Sequence, residues 1–190
     1  MSSMLNGVDR DALQATITAV RPRPELGAFT FRLENQWAQG GLNRSRIDDF
    51  HGTCAELRHA VPFELVNDEP AVLLSGDQGP NPVEFVLHAL AGCLTTSLVH
   101  HAAARGIRVE GVRTRFEGDL DLRGFLGLSP EARNGYSAIR VVFDIAGDSS
   151  EADKATLMAM AQAYSPVFDI VSHGVPVSCR LAEPLAVAAM

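Results

Sequence analysis

The sequence predicts an α+β domain with a largely antiparallel sheet, and three observations carry that prediction. The stretch "NPVEFVLHALAGCLTTSLVHHAAARGI" keeps helical apolar spacing along its length, and "SSEADKATLMAMAQAYSP" carries the caps and apolar face of a second helix. The extended segments come in runs instead of alternating with helices, which argues against a parallel sheet. With 190 residues, 46% of them hydrophobic, and no linker-like segment, one structural domain around one core is expected.

Along the chain, a weak helix over 9–20 comes first. Extended candidates follow at "GAFTFRLENQW", "GLNRSRIDDF", "ELRHAVPFEL" and "PAVLLSG". The long helix over 82–105 has Asn81 as N-cap, Pro82 at the first helical position, Glu84 to complete a capping box and Gly106 to end it. Val83, Leu87, Leu90, Leu94 and Leu98 form its buried stripe. "IRVEGVRTRFEGDLDL" and "YSAIRVVFDIAG" read as strands, with "RGFLGLSPEARNGY" as the loop between them. Ser150 caps the second helix and Pro166 stops or kinks it; "GVPVSCRLAE" reads as a closing strand.

The formal net charge is −7, with the 16 Lys and Arg scattered along the chain, which excludes nucleic acid and anionic membrane as expected partners. Residues 83–99 are apolar but interrupted by Glu84, His88, Thr95, Thr96 and Ser97, so a core helix is expected and not a membrane span. The N-terminus lacks a basic stretch followed by an apolar run, and a cytoplasmic location is expected. There, Cys54, Cys93 and Cys179 would be free thiols.

Two readings of Cys93 compete. A cysteine amid Ala, Gly and Leu on an apolar helix is a small buried hydrophobe; alternatively it is a functional thiol. Thr96 and Ser97 share its face, and His100 lies two turns on, about 10 Å along the axis and too remote to serve as its base directly. His51 and Cys54 have ligand-like spacing, but no second pair completes a metal site. Asp119 and Asp121 alternate with Leu120 and Leu122, as on the solvated face of a strand.

The long helix motif, followed downstream by "AYSPVFDIVSHGVPVS", resembles the osmotically inducible protein C (OsmC) family and its relatives, the organic hydroperoxide resistance proteins. The resemblance covers 58–181; residues 1–57 look like an N-terminal extension packed on the same domain, ahead of an OsmC-like domain over 58–190. It implies an intertwined homodimer with two long central helices flanked by curved sheets. In catalytic members a cysteine of the first helix attacks a hydroperoxide and becomes a sulfenic acid, and a cysteine before a proline resolves it as a disulfide. An arginine and a glutamate hold the first as thiolate, and only the thiolate is a good nucleophile.

Carried onto this chain, Cys93 matches the attacking cysteine and Ser165 occupies the resolving position, where a hydroxyl cannot form a disulfide. Val83 stands where the glutamate belongs, with Glu84 displaced by one residue and so turned by about 100°. Arg46 and Arg58, with Arg32 and Arg44, are candidate thiolate partners reaching across a dimer. Ser97, Thr96, His100 and Phe168 would line the pocket. Two functions follow: a one-cysteine hydroperoxide reductase recycled by an external thiol, without a cofactor, or a non-catalytic dimeric protein that binds a small apolar ligand near Cys93.

Overall fold

The computed structural model describes residues 3–182. A small hairpin, β1 (Met4–Leu5) and β2 (Val8–Asp9), leads into helix α1 (Arg10–Val20), which Asp9 caps by accepting from the Asp11 and Ala12 amides. At the hairpin turn the Asn6 amide clasps the segment after the long helix, donating to the Ile107 carbonyl (2.9 Å) and accepting from the Val109 N–H (2.9 Å).

A curved antiparallel sheet follows, built from β3 (Thr30–Phe31), β4 (Glu34–Gln39), β5 (Leu42–Gly52) and β6 (Ala55–Asn67). The long β5 is central: β6 pairs along one edge, and β3 and β4 share the other. The β5–β6 turn is the pair Thr53 and Cys54, both at positive φ, 51° and 63°, which is the backbone a two-residue hairpin needs but which non-glycine residues adopt at a cost. Opposed pairs sort the side chains: Phe31 and Phe50 stack on one face, joined by Phe29, His59 and Phe63 in a row of rings, while Arg46 and Glu64 occupy the other face.

The predicted long helix is α2 (Pro82–Ala104), and its capping box is formed as read: Asn81 Oδ1 accepts from the Val83 N–H, and Glu84 accepts from the Asn81 N–H at 2.8 Å. Gly106, at φ 75°, follows its end. Strand β7 (Gly111–Asp119) pairs antiparallel with β8 (Ala138–Ala146), and α4 (Glu151–Tyr164) and α5 (Pro166–His173) pack on α2. The core lies between them, where Leu90, Leu94 and Leu98 of α2 meet Ile145, Leu157 and Ala161.

Several sequence expectations need correction. "PAVLLSG" is no strand: Ala71–Leu73 is a single 3-10 turn, because Pro70 and a left-handed Leu74 (φ 64°) break the extended backbone. "GVPVSCRLAE" runs without ladder partners through its described residues, to Ala182. The β7–β8 loop holds a short helix, α3 (Leu122–Phe125), capped by Asp121, so that acid is not on a strand face. Pro166 stops the second helix as expected, which ends at Tyr164, and also occupies the first position of α5, where a missing N–H costs nothing.

By length and mean hydropathy, 1.4 over its most apolar 18 residues, α2 is long and apolar enough to cross a bilayer, so the polar interruptions do not by themselves rule that out. Leu90, Leu94 and Leu98 of the expected stripe are nevertheless buried, Leu98 at 0% exposure, whereas Val83 and Leu87 are only half-buried.

Candidate functional site

Cys93 is half-buried, one residue before the core Leu94. Ser97 beside it is also half-buried, whereas Thr96 and His100 are exposed. The His100 Nδ1–H donates to the Thr96 carbonyl at 2.9 Å, which ties the ring to its own helix.

Ser165 is 2% exposed and joins α4 to α5. Its hydroxyl accepts from the Phe168 N–H at 3.1 Å, so the residue at the resolving position is the N-cap of α5. Phe168, fixed in the first turn of α5, packs against the core and lines an apolar cavity together with Val86 and Leu90 of α2.

Glu84 is committed to the capping box, close to the start of α2. The arginine candidates lie on the polar face of the β3–β6 sheet, which is not among the principal packing neighbours of α2 in the described residues. Arg46 holds Glu64 (2.7 Å) and Asp48 (3.3 Å), and Arg32 holds Glu56 and Asp49. The Arg32 guanidinium, with His51 behind it, pulls the Glu56 carboxyl down to about 2. Arg58 faces Asp49 across the β5–β6 ladder and, with Arg32, Arg46 and Asp48, lines a charged hollow; no ion pair to it is found among the described residues. The chain therefore brings Phe168 to Val86 and Leu90 of α2 and leaves Arg46 and Arg58 on the sheet.

Three features were not read from the sequence. Asp68, fully buried, accepts from the Ser75 hydroxyl (2.5 Å), the Gln78 N–H (3.0 Å) and the Glu69 N–H (2.8 Å), which together hold its carboxyl below the usual range. This knot fixes the loop that joins β6 to α2. Tyr136 donates to the Val83 carbonyl at 2.9 Å and clasps the β7–β8 loop to the first turn of α2. His101 packs at a tilt against Tyr164 with ring centroids 4.8 Å apart, and burial, then Arg105 and His100, lowers its pKa. A buried Asp in a "NDEP" turn is the only one of these with a signal in the sequence, since Asp favours turns that bond its own following amides.

A long capped helix bearing a half-buried cysteine, packed against a helix pair and accompanied by antiparallel sheets, defines an α+β fold. The model of the OsmC-like protein family matches residues 75–180, more than half of the chain, and the chain belongs to that family. Solved structures with the same fold include an OsmC-like protein from Mycoplasma pneumoniae, at 13% identity and a TM-score of 0.59, with 76% of this chain and 88% of that one covered. An organic hydroperoxide resistance protein OsmC from Legionella pneumophila is similar at 18% identity and a TM-score of 0.51, covering 76% and 90%. An OsmC-like protein of unknown function from Vibrio cholerae matches at 13% identity and a TM-score of 0.53, covering 75% and 94%. No curated protein matched the chain.

Proposed function

We propose that this protein is a cytoplasmic, homodimeric hydroperoxide reductase that works with one cysteine. The observation that carries the reading is Cys93 itself, half-buried on the long helix inside the family-matched segment, where a relative of the same fold is an organic hydroperoxide resistance protein. The Cys93 thiolate attacks the outer peroxide oxygen, the O–O bond breaks, and the alkoxide leaves as an alcohol after taking a proton. The resulting sulfenic acid is reduced by two equivalents of an external thiol, releasing water and a disulfide of that thiol. Ser165, engaged as a helix cap, takes no part in this exchange.

The homodimer is supported by apolar surface that one chain leaves uncovered. Phe31 and Phe63 on the ring-bearing face of the β3–β6 sheet are 74% and 53% exposed, and only 17% of the most apolar stretch of α2 is buried. A second copy covering both would bury well over about 2,000 Å², as obligate interfaces do. Arg44 and Arg58 carry no ion pair among the described residues, whereas Arg46 and Glu84 are already occupied.

The second reading is a non-catalytic dimeric protein that binds a small apolar ligand near Cys93; the apolar cavity beside α5, walled by Val86, Leu90 and Phe168, supports an apolar ligand although Cys93 is not in its wall. One experiment separates the two. With cumene hydroperoxide and a dithiol reductant, wild type should consume peroxide, and without reductant its intact mass should rise by one oxygen and then two, both lost in Cys93→Ser. Oxidation first at Cys54 or Cys179, with Cys93 left reduced, would sink the peroxidase reading.

A further inference from the structure

A groove of about 390 Å³ runs between β8 and one flank of α4, a size within the range of small-molecule sites, roughly 300–1,000 Å³. On the helix side its wall is Glu151, Lys154, Ala155 and Met158, which share a flank at helical spacing. On the strand side the consecutive residues 143–145 all reach it. Neighbouring side chains of a strand point to opposite faces, so the groove meets β8 along its edge, the one that β7 does not occupy. None of these residues belongs to α2 or to the β3–β6 sheet, the surfaces proposed for a second copy, and Cys93 is not in the wall.

The wall carries two carboxylates and one ammonium. Lys154 Nζ donates to Glu151 at 2.8 Å from a side chain only 25% exposed, so one of the two negative charges is neutralised in place. Asp144 is the other. It stands opposite Arg113 in the β7–β8 ladder, yet its carboxylate makes no ion pair or hydrogen bond among the described residues. Beside it, β8 pairs only with β7 among those residues, so the carbonyls on its outer edge are acceptors without a ladder partner.

We infer that this groove binds a small apolar primary amine in its ammonium form, with the charge on the Asp144 carboxylate and the hydrocarbon part along Ala155 and Met158. An ammonium has three N–H donors and no acceptor, which matches a carboxylate set beside strand-edge carbonyls. One positive charge balances the single negative charge left over in the wall. A diamine would bring a second charge with no carboxylate free for it, since Lys154 already holds Glu151. A carboxylate ligand would meet Asp144 with like charge, and a neutral alcohol would leave it unpaired.

This site stands apart from Cys93, so its fate does not hang on the peroxidase reading. Calorimetric titration of the whole protein with hexylammonium, hexanol, hexanoate and hexanediammonium tests it, since the four share one chain and differ in charge. Hexylammonium should bind once per chain, hexanol about tenfold more weakly or worse, and hexanoate not at all, while the diammonium should bind no tighter than hexylammonium. Asp144→Asn, a change of charge without a change of shape at an exposed position, should weaken hexylammonium about tenfold and leave hexanol as it was. Ala155→Trp, a filling substitution at an exposed helical position checked by its melting curve, should weaken both. Cys93→Ser should leave hexylammonium binding unchanged while it removes any peroxide consumption. Equal affinity for hexylammonium and hexanol, tighter binding of the diammonium, an unaffected Asp144→Asn, or no hexylammonium binding to the wild type would overturn the assignment.

Discussion

The helical body and the β3–β6 sheet solve the same burial problem differently. In the body, α2, α4 and α5 close over β7 and β8, and Leu94, Leu98 and Leu157 end at 1% exposure or less. The sheet has an equally apolar face, with five rings in a row, yet Phe31 remains mostly exposed. A monomer rarely carries so large a contiguous apolar patch without a use for it. The contrast teaches that the body is a finished fold, whereas the sheet is finished only by something outside the chain, which the proposed function takes to be a second copy.

The largest effect should come from attacking that difference directly. Replacing Phe31 and Phe63 together with Asp puts two charges on the uncovered face. If a second copy covers it, light scattering at micromolar concentration should change from dimer to monomer, because unpaired buried charges cost several kcal/mol. A dimer that survives the double change would move the interface elsewhere; a wild-type monomer would remove the dimer altogether.

Within the body, Leu98→Ala deletes a side chain with no exposed surface, and urea melts should show a loss of about 2–5 kcal/mol. Val61→Ala, at a 72% exposed position of the sheet, should cost about 0.5 kcal/mol or less in a monomeric background. Similar losses at the two positions would mean that the sheet is as well packed as the body, and the contrast would fail.

How much of this was legible in the sequence follows the same divide. The α2 helix was readable to its caps because Asn81, Pro82, Glu84 and Gly106 act locally, within one turn of the backbone they satisfy. The helix stop at Pro166 is legible and the second helix ends at Tyr164, but the start of α5 is not, because the same proline that ends one helix can begin another once Ser165 supplies a cap. "GVPVSCRLAE" alternates like a strand, but pairing depends on a partner that its own residues do not name. Cys93 was found through its motif, whereas the separation of Arg46 and Arg58 from it, and the exclusion of Cys93 from the cavity wall, are tertiary facts with no local signal.

The joint between the two regions gives an intermediate effect. Ser75→Ala removes the hydroxyl that donates to buried Asp68 and that also accepts the Gly41 N–H at 3.1 Å. Leaving those groups short of partners should cost about 1–3 kcal/mol. Protection of loop amides from hydrogen exchange should fall near 68–81 before it falls in α2, since the loop ties the sheet to the body and not the body to itself.

The smallest effect is a pH dependence confined to the body. His101 is held in its neutral form by burial first, and then by the charges of Arg105 and His100, so its folded-state pKa lies below the ordinary 6.5. The unfolded chain therefore binds more protons than the folded one as pH drops through 6.5, and stability must fall with it. The loss should level off below the folded pKa. His101→Phe keeps a ring against Tyr164 but cannot take a proton, so melting temperatures of that variant should follow a shallower slope than wild type between pH 7 and pH 5 (about the span in which a histidine titrates). The sheet carries the opposite kind of group. Glu56, drawn down to about 2 chiefly by Arg32, favours the fold above its ordinary 4.5 and loses that contribution as pH falls towards 2, but it is exposed and salt will screen it. Wild type and His101→Phe should thus diverge near pH 6 and run parallel below pH 4. Curves that stay parallel throughout would mean that His101 is solvated, and that the body is as open at the end of α2 as the sheet is along its row of rings.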